Sequence, residues 1–200
     1  SERKIDFSKV FDGTSMQMMT YIDVLAHNLG IIDEEEKAAL AGAVYMHVYN
    51  PKYNRSDVKS TLEDTILKKQ KYEGILVDDG KLLDKIDATI ADDKYGTSNI
   101  FPLYKKKDGS FSKNNSIIQP DDLQLLLNHN EDLIKRAGLV FFTGNVDLSP
   151  AKFGPNSDAM QYTPYKSIMQ FDPLLNENNY REVPNYKLED VLRNLRGEDK

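Results

Sequence analysis

Two hundred residues suit one domain with its own core, and 40% hydrophobic with 29% charged residues is the balance of an ordinary globular domain. The net charge of −6 excludes a surface that coats nucleic acid throughout. Without Cys there is no disulfide framework, thiolate-only zinc site or thiolate-bound cluster, and no apolar run has the length of a membrane-spanning helix.

The chain opens on Ser1 and a charged SERKIDF run, which reads as the interior of a longer protein. Ile5, Phe7, Val10 and Phe11 are apolar among charges, and Asp12–Gly13 is a turn signal. Thr14 or Ser15 can then cap a helix that carries Met18, Ile22, Leu25, Ala26 and Leu29 at helical spacing and stops at Gly30. Gln17 and Tyr21, four apart, share one face of it. Alone, such a pair suits the polar edge of a core helix. After the acidic Asp33–Glu36 run, a short helix is predicted at Lys37–Leu40. GAVYMHVYN, from Gly42 to Asn50, then predicts a strand buried on both faces and ended by Pro51. His47 on that strand has no partner at metal-ligand spacing and reads as a packed residue.

Residues 53–119 form a charged insertion. A helix over 57–70 is predicted with Ser56 as its cap and Val58, Leu62 and Ile66 on one stripe. A strand at 74–78, a short helix at 81–86 and a mobile loop at 92–99 follow. Asp108–Gly109 between Phe101–Lys106 and Phe111–Lys113 is a hairpin signal. The Lys68, Lys69, Lys71 and Lys105–Lys107 clusters read as solvated surface rather than a phosphate track. Asp78, Asp79, Asp92 and Asp93 lack the spacing of a calcium loop.

Pro120–Asp121–Asp122 starts a helix strongly, with acids at its positive end. Its stripe, Leu123, Leu126, Leu127, Asn130, Leu133, Ile134 and Ala137, runs on to a stop at Gly144. An extended link through Pro150 leads to DAMQYTPYKSIMQFDPLLNENNYR, residues 158–181, which has little helical or strand periodicity and must be anchored by side chains. Within it, Thr163 before Pro164 predicts a capped helix to about Gln170, with Tyr165, Ile168 and Met169 towards the core. Residues 173–179 read as a loop tied back by Tyr180 and Arg181. A last amphipathic helix over 187–195 carries Leu188, Val191, Leu192 and Leu195.

The 158–181 stretch resembles the C-terminal signature of the AddB/RexB family of ATP-dependent helicase–deoxyribonucleases, C-x-x-C-P-Y-x-x-x-C-x-F-D followed by N-Y-R. Pro164, Tyr165, Phe171, Asp172, Asn179, Tyr180 and Arg181 match, whereas the cysteine positions hold Met160, Thr163 and Met169. The resemblance implies an α/β fold: the C-terminal portion of a PD-(D/E)xK nuclease domain, a mixed sheet with flanking helices, as a single domain over 1–200. It implies that Gln17 and Tyr21 lie beside a magnesium site whose ligands are upstream of Ser1. It also implies that Pro164, Tyr165, Phe171, Asp172, Tyr180 and Arg181 form a structural strap, with no iron–sulfur cluster because packing by flexible Met replaces it. The parent protein would be a cytoplasmic, magnesium-dependent DNA exonuclease acting on single strands together with a helicase/nuclease partner, the A subunit of such a complex. The chain alone would be inactive. A non-catalytic module that docks the helicase partner or DNA is the alternative.

Overall fold

The structure, a computed structural model, describes residues 5–32, 40–46, 48, 54–57, 61–91, 94–112, 116–175 and 179–198. Its elements in chain order are α1 (Phe7–Asp12), α2 (Gln17–Ile32), β1 (Gly42–Tyr45), α3 (Leu62–Lys69), β2 (Glu73–Val77), α4 (Gly80–Ile86), β3 (Gly96–Thr97) and β4 (Tyr104–Lys105). These are followed by β5 (Ile117–Ile118), α5 (Pro120–Phe142), β6 (Ala151–Lys152), α6 (Lys166–Met169), β7 (Arg181–Glu182) and α7 (Leu188–Arg196). The chain divides into two compact units. A sheet unit holds Ser1–Ile5 and Ile22–Gln124; a strap unit holds Asp6–Tyr21 and Leu125–Lys200.

In the sheet unit, β2 is the central strand of the order β1-β2-β5, antiparallel to β1 and parallel to β5. The expected mixed sheet with flanking helices is therefore present as a mixed α/β arrangement of small sheets. Ile75, Leu76 and Val77 are all buried, as the apolar run in β2 demands. A Cβ at Gly42 would collide with the Ile75 carbonyl oxygen, and one at Gly74 with that of Ala43, so both glycines are needed for β1 and β2 to approach. Leu76, Leu83, Phe101 and Leu103 form the core, with Tyr72, Ile86, Ile100, Phe111 and Ile117 packed around them. Each such buried side chain contributes about 1.5–3 kcal/mol.

Several expectations change here. The strand predicted to Asn50 ends at Tyr45 and, among the described residues, is an edge with a partner on one side only; Val44 and Met46 are exposed. His47 and residues 37–39 of the predicted short helix lie outside the described residues. The α3 cap is Thr61, whose hydroxyl accepts from the Asp64 amide at 3.1 Å, rather than Ser56, which lies in a 3-10 turn at Arg55–Asp57. The predicted loop at 92–99 contains β3, paired with β4, and the fully buried Ser98. Ser98 Oγ donates to the Asp87 carboxylate and accepts from the Ile100 and Phe101 amides at 3.1 and 2.9 Å, so the end of that segment is a buried polar knot. The hairpin across Asp108–Gly109 is present, closed by Lys106 N to Ser110 O at 2.8 Å with Gly109 at φ 82°. Lys105, read as solvated, is buried: its Nζ meets Asp84 and the Ile90 carbonyl at 2.9 Å. The predicted roles of Asp78 and Asp79 as turn residues hold; Asp79 caps α4 and Asp78 accepts from Gln119 at 2.6 Å.

In the strap unit, α1 is a helix where only a turn signal was read. Asp6 caps it, accepting from the Ser8 and Lys9 amides at 3.1 and 3.3 Å, and Gly13 ends it in the left-handed region. On α5 the predicted stripe is buried at Leu123, Leu126, Leu127 and Asn130, but Ile134 and Ala137 are exposed. α7 buries Leu188, Val191 and Leu192 as its periodicity demands, and Asp190 accepts from the Lys187 amide at 2.9 Å.

Candidate functional site

The strap unit gathers the residues singled out in the sequence. Past Gly13, the Thr14 and Ser15 amides both donate to the Lys9 carbonyl, at 2.9 and 3.1 Å, so the link from α1 to α2 is a tight corner. α2 starts at Gln17, and its first two turns are sorted by helical phase. Met18 and Met19 are buried, whereas Gln17 and Tyr21 are exposed, the tyrosine at 66%. Gln17 Nε2 donates to the Tyr21 hydroxyl at 3.0 Å. The phenol oxygen is thus an acceptor within the pair, leaving its own O–H and the second amide N–H to donate outward. Both groups are neutral, which suits the placement of a polar ligand rather than the holding of a metal ion.

The helix phase is held from behind. Asn130 of α5, 2% exposed, donates through Nδ2 to Thr20 Oγ1 at 3.3 Å, and that hydroxyl donates to the Met16 carbonyl at 3.0 Å. One signal for Asn130 was available in the sequence: it is the polar residue on an otherwise apolar stripe.

The strap returns along β6 and β7, parallel strands with Ala151 opposite Arg181 and Lys152 opposite Glu182. Arg181 N donates to the Pro150 carbonyl at 3.0 Å and Val183 N to that of Lys152 at 2.8 Å. Lys152 and Glu182 pair across the strands at 2.9 Å, and this hydrogen bond and charge raise the lysine pKa above its ordinary value. Phe171 and Tyr180 meet edge to face at 4.8 Å, and the Arg181 guanidinium pairs with Asp12 at the end of α1. Asp172 accepts from the Leu174 amide at 2.9 Å, shaping the turn around Pro173. Tyr180 and Arg181 are thus joined by ring contact to Phe171 and by ion pair to Asp12.

The middle of the strap departs from expectation. α6 is a single turn without a buried residue; Thr163 Oγ1 accepts from the Tyr165 amide at 3.3 Å but does not cap a longer helix. Pro164, Tyr165, Ile168 and Met169 are all exposed rather than turned to the core. One turn of helix fixes few backbone hydrogen bonds, and among the described residues none covers its apolar side chains to favour a longer one. Of the two methionines expected to pack in place of a cluster, Met160 is buried at 7% exposure and Met169 is exposed at 41%. A buried thioether, an engaged hydroxyl and an exposed thioether are not a ligand set for an iron–sulfur cluster, and these positions do not fit one.

No family model matches the chain. Curated relatives do match it along nearly its whole length. A protein of Lactiplantibacillus plantarum, named as the B subunit of an ATP-dependent helicase/deoxyribonuclease, is 42% identical over 196 residues, 96% of this chain and 16% of its own length. The identically named protein of Levilactobacillus brevis is 41% identical over 207 residues, covering 99% of this chain and 17% of the relative. This chain belongs to the family of helicase/deoxyribonuclease B subunits. The relative from Enterococcus faecalis, 33% identical over 205 residues, covers 100% of the chain and 17% of itself. The chain thus spans about one sixth of the length of the curated relatives it matches. Among the described residues, no helix is long and apolar enough to cross a membrane.

Proposed function

We propose that the chain supplies the Gln17–Tyr21 helix and its supporting strap to the DNA-cleaving domain of a helicase/deoxyribonuclease B subunit, a domain of the PD-(D/E)xK type. The observation that carries this reading is the exposed, mutually hydrogen-bonded pair Gln17 and Tyr21, in a chain whose relatives are named deoxyribonucleases. A neutral amide and phenol with donors aimed outward can grip phosphate oxygens of a single strand without adding charge, and so position it for attack. Magnesium, bound by residues outside this chain, would polarise the phosphate and supply hydroxide. The chain's own part is to bind and orient; alone it does not cleave. The setting is the cytoplasm, with the helicase/nuclease A subunit for partner in the processing of DNA breaks for recombination.

A second reading, a docking module without catalysis, is favoured by the end of α5. There Leu139, Val140, Phe141 and Phe142 are exposed in sequence, with Val146 just beyond. One assay separates the two. The complete protein, with magnesium and labelled single-stranded DNA, is compared with this chain and with Gln17→Ala and Tyr21→Phe. Cleavage by the complete protein alone, slowed on the order of 100-fold by either substitution, supports the nuclease reading. Cleavage indifferent to both substitutions, or absent altogether, favours docking.

A further inference from the structure

We propose that Arg181, acting through Asp12, is the positioning residue that holds the Gln17–Tyr21 pair in register; the inference rests on the proposed function for its catalytic meaning. Asp12 is the last residue of α1, and its side chain is nine-tenths buried. One carboxylate oxygen meets the Arg181 guanidinium, and the other is buried without a hydrogen-bond partner among the described residues. A carboxylate left half satisfied is a costly way to stabilise a helix end, and a guanidinium 46% exposed returns little of that cost. What the pair does supply is direction. A planar guanidinium on a strand of defined register fixes where the end of α1 lies.

That end sets the start of α2. Asp12 is followed by the left-handed Gly13 and by two amides converging on Lys9 O, so only a tight corner separates the ion pair from Gln17. Displacement of Asp12 is therefore passed to the first turn of α2, which carries the pair. The fold has other ties at α1. Phe11 stacks on His129 at 5.0 Å and gives its carbonyl to His129 Nε2 at 2.8 Å, and it meets the Tyr186 ring edge-on. Ser8 Oγ accepts from the Tyr186 amide at 2.7 Å. These contacts hold α1 in place without Arg181, so the ion pair can be removed with the fold retained. Asn130 fixes α2 from its buried side; Arg181 fixes its entry.

The test uses the complete protein in complex with its helicase/nuclease partner, as wild type and as Asp12→Asn, Arg181→Gln, Arg181→Lys and the double variant Asp12→Asn/Arg181→Gln. Amide exchange by mass spectrometry and cleavage of a single-stranded oligonucleotide with magnesium are both read. Each single removal is expected to raise exchange across residues 14–21 about tenfold, as for loss of a charge-assisted contact, with the double variant no worse than either single. Arg181→Lys recovers part of the effect, and kcat falls while KM holds. Exchange that rises only at 150–153 and 180–183, or single effects that add in the double variant, overturns the proposal. So does unchanged kcat in a cleaving complex, which would leave the proposed function standing. A wild-type complex that cleaves nothing overturns the proposed function instead, and exchange at 14–21 then decides the coupling by itself.

Discussion

The hairpin region of the sheet unit, residues 96–112, and the strap, residues 150–183, are both irregular segments anchored by side chains, and they are anchored in opposite ways. The hairpin sinks its anchors: Ser98, Phe101, Leu103 and Lys105 are all buried, and the polar ones find partners there. The strap keeps most of its anchors at the surface. Pro150, Ala151 and Met160 are its buried apolar residues; its other anchors include a two-residue parallel pairing, the Lys152–Glu182 and Arg181–Asp12 pairs and the Phe171–Tyr180 contact. Buried anchors give stability, since they remove apolar surface from water and strengthen each enclosed hydrogen bond. Surface anchors add little stability but leave side chains available to a ligand or a partner.

The comparison is broken most sharply at its apolar centre. Leu103→Ala is expected to destabilise the protein by about 2–5 kcal/mol in denaturant melts, because Leu103 is packed on all sides. In the strap, Met160→Ala should cost about 2 kcal/mol, the low end for such a deletion, because its surroundings can collapse, while Met169→Ala should leave the melt unmoved. Equal effects of the two methionine substitutions would contradict the placement of Met169.

Asp87→Ala, which orphans the Ser98 and Thr89 donors, should cost about 1–3 kcal/mol. The same carboxylate has a pH signature. Burial pushes its pKa up, but hydrogen bonds from Ser98 and Thr89 and from the Thr89 and Ile100 amides outweigh that and hold it below the ordinary carboxylate value. A depressed folded pKa contributes stability that is fully present above the unfolded value of about 3.9 and is lost as pH falls through the folded value. Asp87→Asn should therefore flatten the acid limb of the stability curve below about pH 4, and an unchanged limb would remove Asp87 from the account. The smallest effect belongs to Glu182→Gln: its pair with Lys152 is solvent-exposed, so the change in melting should vanish in high salt.

Much of the sheet unit was legible as sequence, as β2, α4 and the Asp108–Gly109 hairpin show. In each, local pattern and tertiary burial agree, so short-range rules suffice. Lys105 and Ser98 were not legible, because a lysine in a basic run and a serine among turn residues show no sign of being buried until Asp84 and Asp87 arrive from other elements. The candidate site divides in the same manner. Gln17 and Tyr21 were placed on one helix face by spacing alone, and the strap was marked by its motif. The exposure of Tyr165 and Met169 ran against helical reasoning, because one turn without an apolar surface to face has nothing to bury.

By itself, the sequence determined that α2, α5 and α7 are helices, although α2 runs past the stop expected at Gly30 to Ile32, and it determined the shared face of Gln17 and Tyr21 and the want of cysteine ligands. All of these follow from periodicity, capping chemistry and composition, which act over a few residues or over none. Only the tertiary structure decided that Asp12 meets Arg181, that Asn130 meets Thr20 and that Met160 is buried while Met169 is not. Such contacts join residues far apart in the chain, and their geometry is set by packing that no local pattern encodes.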